Sequence, residues 1–147
     1  MVSVVLADLV HAYEFASAGS SYDSAAYVCT QTGTIYMTSS EFEPEEEVPA
    51  DLETSERYLA VPSKVELELG RNLAIRFTEQ EHPASSGLVA EIFRKKGAYA
   101  RYKQLLERHG LLQRWFEFEA AETEAALRRW CEENNLQINV RHERPVA

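Results

Sequence analysis

Arg94, Lys95, Lys96, Arg101, Lys103, Arg108 and Arg114 fall within residues 94–114 against a single acid, Glu107. Clustered ammonium and guanidinium groups attract phosphate or carboxylate, and Gly97 stands among them where a helix is expected to open. The free amides of a helix start add to that attraction. The residues placed to hold an anion are Lys95, Lys96, Arg101 and Lys103. On a continuous helix, Arg94, Arg101 and Arg108 would recur every seven residues as a basic stripe able to follow a nucleic-acid backbone, with Tyr99 and Tyr102 as stacking faces. Against that stripe, no apolar residue occupies the helical position near Lys95 or Lys96, which predicts a turn at Gly97. The plainer reading of the run is a solvated, helix-favouring surface with its tyrosines in the core.

Other chemistry-bearing residues are sparse. His11 and Glu14 lie three apart on an expected first helix, a spacing that lets two side chains share a proton or a metal ion, but no third ligand accompanies them. His82, His109 and His142 are expected at scattered, exposed places. Cys29, on a strand, and Cys131, beside Trp130, read as buried small hydrophobes and belong to no C-x-x-C pair. No Ser, His and Asp constellation, metal-ligand spacing or cofactor motif can be read, so the expectation is no cofactor and no metal.

The elements that carry these residues follow from spacing. Ser3 precedes Val5, Leu6, Leu9, Val10 and Tyr13 at helical intervals and is expected to cap the first helix. Residues 26–30 and 34–38 read as two strands closed by Gln31-Thr32-Gly33, with Gly33 at the left-handed position of the loop. Residues 41–56 hold eight acids with Pro44 and Pro49, which predicts a mobile acidic linker. Residues 58–61 give a strand ended by Pro62. Ser63 and Glu66 have capping-box spacing, so a helix carrying Val65, Leu69, Leu73 and Phe77 is expected from there to His82-Pro83. A helix over Leu88, Val89, Ile92 and Phe93 precedes the Gly97 turn, and a further one runs towards Gly110. A short aromatic segment at 111–118 is followed by an alanine-rich helix at 120–133, closed by Asn134-Asn135. Trp115, Phe116, Phe118, Leu127 and Trp130 read as its core. Leu136, Ile138 and Val140 alternate as a last strand before a frayed tail at 141–147.

These residues, in this order, resemble a bacterial family, Uncharacterised Protein Family 0158. The likeness rests on a first helix like residues 9–15, a tyrosine-bearing hairpin like 27–36, an acidic connector, and a strand ending in proline like 58–62. A helix with a late phenylalanine like Phe77 follows, then Lys-Gly-Ala-Tyr-Ala-Arg-Tyr-Lys at 96–103 and Trp-Cys-Glu-Glu-Asn at 130–134. The resemblance implies no substrate, cofactor or catalytic residue, because the family has none established. This chain has Lys95 where the family carries a second glycine, and tyrosine instead of phenylalanine at 99 and 102, which removes a glycine-rich phosphate cradle.

The chain has 147 residues, 45% hydrophobic and 10% aromatic, with six glycines and five prolines, which suits one folded domain and excludes collagen-like or wholly disordered chains. Its net charge of −9 is unevenly placed: residues 1–56 contain eleven acids and no Lys or Arg. No apolar run is long enough to span a membrane, and residues 1–16 carry acids instead of a basic leader, so a cytoplasmic protein is expected. The expected fold is a single α+β domain over 1–147, in which a small antiparallel sheet of the hairpin and one or two further strands is covered by four to six helices. The expected function is a non-enzymatic protein-interaction or regulatory module with a protein partner. Nucleic-acid or phosphate-ligand binding through residues 94–108 is the alternative, and an enzyme with a site assembled from distant residues, such as His11 and Glu14, is the second.

Overall fold

The computed structural model describes residues 2–17, 24–39 and 48–139, and their fold is α+β. By internal contact the chain forms two compact units, Met1–Leu67 with Glu124–Ala147, and Glu68–Thr123.

The first unit contains both sheets. Strand β1 (Val2–Val5) pairs in parallel with β5 (Leu136–Asn139), Val2 opposite Leu136 and Val4 opposite Ile138. Helix α1 (Leu6–Ser17) follows β1 directly and buries Leu9, Ala12 and Tyr13. The expected cap at Ser3 is therefore replaced by a strand: Val2, Val4 and Val5 are β-branched, and alternation buries Val4 at 2% exposure. Strand β2 (Ala25–Cys29) is the centre of the antiparallel order β3-β2-β4, flanked by β3 (Ile35–Thr38) and β4 (Tyr58–Ala60). Tyr27 faces Tyr36 on one side and Ala60 on the other. The 136–139 strand thus joins β1 and not the hairpin's sheet.

Gly33 closes the hairpin at φ +78°, and its amide donates to the Cys29 carbonyl at 2.8 Å. A Cβ at Gly33 would overlap the backbone oxygen of Ser3, so glycine is required there both for its backbone angle and for the close approach of the turn to β1. Within the predicted linker, residues 41–47 lie outside the described part. Residues 48–56 are instead a hydrogen-bonded turn: the amides of Leu52 and Ser55 donate to the carbonyls of Pro49 and Asp51, and Leu52 is 4% exposed. An apolar side chain inserted in the core anchors a segment that charge and proline alone would leave loose. The tail at 141–147 also lies outside the described residues.

The capping box at Ser63 and Glu66 forms, with each amide donating to the other's side chain at 3.3 Å, but it closes one turn only. Glu68 at φ +56° breaks the run, and helix α2 (Arg71–Glu81) starts after Gly70. Val65 consequently stays 85% exposed, while Leu69, Leu73 and Phe77 keep the buried face.

The second unit is helical. Helix α2 ends at His82, before Pro83; α3 (Ser86–Ile92) follows a single 3-10 turn, and α4 (Ala98–Arg108) starts after Gly97 at φ +74°. The Gly97 turn expected from the missing apolar position is present. Helix α5 (Leu112–Glu133) is one continuous element where an aromatic segment and a separate helix were expected. Its residues 112–123 belong to the second unit and 124–133 to the first. It ends at Asn134 and Asn135, the latter at φ +59°, a left-handed stop that asparagine tolerates.

Rings fill the second core. Trp115, fully buried, meets Phe77 at 5.4 Å and Tyr102 at 5.1 Å between centroids, both edge-on, the arrangement that ring quadrupoles favour. Phe116, expected in that core, is 42% exposed.

Candidate functional site

Helix α4 presents its polar residues around a buried face of Tyr102, Leu105 and Leu106. The phenol of Tyr102 donates to the Ala74 carbonyl at 3.3 Å, and burial pushes its pKa up to about 12. Tyr99, one turn earlier, is half-buried: its hydroxyl accepts from the Trp115 indole at 3.0 Å and donates to Glu119 at 2.5 Å. Burial first, and then the bond to Glu119, raise its pKa well above the ordinary phenol range. Burial withdraws the Tyr102 ring from a role as a base-stacking platform.

The four predicted anion-binding residues are brought near one turn but do different things. Lys95 and Lys96 are exposed on the loop before Gly97, and neither has an ion-pair partner among the described residues. Arg101 folds back, its guanidinium donating to the Lys96 carbonyl at 2.6 Å, which ties the first turn of α4 to the loop. Lys103 lies half-buried with its ammonium 4.9 Å above the Tyr99 ring, a cation–π contact that holds it along α4. Arg94 pairs with Glu91 at 3.4 Å and precedes α4, so the seven-residue stripe with Arg101 and Arg108 does not form. What remains is a compact basic turn: Lys95 and Lys96 outward, Arg101 bracing them, and Arg108 exposed at the far end of the helix.

The second expected constellation is rearranged. His11 is exposed on α1 and lines a cleft of about 300 Å³ in the first unit, but Glu14 does not line it; Asp8, one turn earlier, does. The i,i+3 partner of His11 at this cleft is thus towards the helix start.

Two histidines expected to be scattered are in contact. The rings of His82 and His109, at the ends of α2 and α4, stack at 4.2 Å between centroids with 33° between planes. The Ser85 hydroxyl lies 2.8 Å from His82 Nδ1. Arg114 and Glu81 form an ion pair at 2.7 Å. Nothing in a sequence separation this large signals the pairing; only the packing of α2 against its neighbours creates it. His142 lies outside the described residues. Among the described residues, no group of three or more His, Cys, Asp or Glu is placed to hold a metal ion.

Both cysteines are buried and unpaired, yet their surroundings differ. Burial raises the Cys29 thiol, but bonds from the Thr32 hydroxyl and the amides of Gln31 and Thr32, with the charge of Arg57, outweigh it and leave the pKa lowered. Cys131 has no such donors, and burial pushes it up to about 11. Both are the buried small side chains that the sequence suggests, and the Thr-rich turn beside Cys29 is the signal of the difference between them.

No family model, curated protein or solved structure matches the chain.

Proposed function

We propose that this protein is a non-enzymatic interaction module that docks an acidic segment of a protein partner on the basic turn before α4. The observation that carries the reading is the pair Lys95 and Lys96: exposed, without ion-pair partners among the described residues, and mounted on a turn braced by Arg101. Unpaired charges on a fixed turn favour recognition of a complementary surface and speed encounter with it. A protein partner is favoured over nucleic acid because Tyr102 is fully buried, Lys103 lies over the Tyr99 ring, and Arg94, Arg101 and Arg108 form no continuous stripe to track a phosphate backbone.

The proposal places the protein in the cytoplasm, supported by two unpaired thiols and by the absence, among the described residues, of a helix long and apolar enough to cross a membrane. Membership of Uncharacterised Protein Family 0158 belongs to the same proposal. Its support is the order of α1, the tyrosine-bearing hairpin, the strand before Pro62 and the helix opened by Gly97.

The test is fluorescence anisotropy with a labelled glutamate-rich peptide, comparing the wild type with the Lys95→Glu, Lys96→Glu double variant. Salt-sensitive binding that the double variant loses by about tenfold or more supports the reading. Equal binding by both proteins, or none by the wild type at low salt, overturns it.

A further inference from the structure

The cleft in the first unit is independent of the basic turn. One wall is β1 and the start of α1, which supply Val5, Asp8 and His11; the other is β3 and the turn before it, which supply Thr34, Ile35 and Met37. Its volume of about 300 Å³ lies at the lower end of what small-molecule sites enclose. The walls are held apart at a set distance, because Gly33 presses the hairpin turn against the Ser3 backbone and has no side chain to yield.

We propose that this cleft binds a small aliphatic ammonium ion. Its lining combines three polar side chains, Asp8, His11 and Thr34, with three apolar ones, Val5, Ile35 and Met37. An alkylammonium combines matching features, three N–H donors and a run of methylenes. A carboxylate offers about four acceptor positions, so Asp8 can take a ligand N–H in addition to the interaction it already makes. The charge map selects the sign of the ligand. The lining holds one carboxylate, Asp8, and no Lys or Arg, so the cleft favours cations over carboxylates or phosphates. A metal ion fits less well, since Asp8 and His11 have no third ligand of metal-binding type among the described residues.

The experiment is a titration of the full chain with n-hexylammonium chloride, followed by amide chemical shifts, with hexanoate as the charge control and ethylammonium and butylammonium as the length series. The expected result is saturable shifts at the amides of Val5, Asp8, Thr34 and Met37 and no response to hexanoate. Affinity should rise by up to about fourfold per added methylene, as each is buried. Asp8→Asn, a near-isosteric change at an exposed helical position, should weaken binding by about tenfold, with circular dichroism checking that the fold is kept. The proposal is overturned by the absence of saturable shifts, by equal binding of hexanoate, by affinity independent of chain length, or by unchanged affinity in Asp8→Asn. Shifts of the same amides produced by zinc chloride alone, with hexylammonium inert, overturn it in favour of a metal site.

Discussion

Gly33 and Gly97 adopt nearly the same left-handed backbone, at φ +78° and +74°, in different units of the molecule. Around Gly33 a Cβ would collide with the Ser3 oxygen; around Gly97 nothing lies within 4 Å. The first glycine is packed against the backbone of a strand and sets the width of a cleft. The second turns the chain in open solvent and sets out two lysines. The same conformational requirement thus serves packing in one unit and presentation in the other, and the surroundings of a turn, more than its dihedral angles, tell which.

The sharpest test of that contrast is Gly33→Ala, which adds backbone collision to left-handed strain. A loss of about 3 kcal/mol or more in urea denaturation is expected. A loss no larger than that of Gly97→Ala would break the comparison.

Next in size is Tyr99→Phe, which leaves the Trp115 indole and Glu119 without a hydroxyl between them. A cost of about 1–3 kcal/mol and a changed Trp115 emission are expected; unchanged stability would mean that solvent already supplies those bonds. The tyrosines also set an alkaline limit. Both phenols have raised pKa values in the fold, Tyr102 at about 12, so the folded state keeps protons that the unfolded chain releases. Their contribution is complete below about pH 10 and declines as pH rises towards the folded values. Denaturation midpoints measured on either side of pH 10 should fall accordingly, and less steeply in Tyr102→Phe.

The cysteines give a kinetic version of the same contrast. At mildly alkaline pH, iodoacetamide should modify Cys29 faster than Cys131 by about tenfold or more, since a lowered pKa supplies thiolate and a value near 11 withholds it. Mass mapping of partly alkylated protein checks the order; Cys131 reacting first would contradict the described donors at the hairpin. The smallest effect is expected from Gly97→Ala, about 1 kcal/mol from left-handed strain alone, with unchanged secondary structure by circular dichroism.

Local punctuation in the sequence was readable and non-local pairing was not. Gly33, Pro62, His82-Pro83 and Gly97 each stop or turn the chain by their own sterics, and the structure places turns or ends at each. Strand β1 was hidden because Val5 and Leu6 continue the helical spacing of α1 without a break, while the partner that makes Val2–Val5 a strand lies at the other end of the chain. At Ser63 the cap was legible but its helix was not, since Glu68 interrupts the run with a backbone angle that glutamate seldom adopts. Of the basic site, Lys95 and Lys96 were legible as exposed charge; the bracing by Arg101 and the withdrawal of Lys103 onto Tyr99 depend on rotamers that spacing does not specify. The contact of His82 with His109 and the wall of β3 that faces Asp8 and His11 arise from tertiary packing, whereas the i,i+3 spacing of Asp8 and His11 on α1 is written in the sequence.

The most direct test of the account is an amide-resolved titration of the whole chain with the glutamate-rich peptide. The account predicts shifts concentrated at Lys95, Lys96, Gly97 and Arg101, with Gly33, Thr34 and Met37 silent. Shifts confined to the hairpin and α1, or none at the Gly97 turn at low salt, would contradict it.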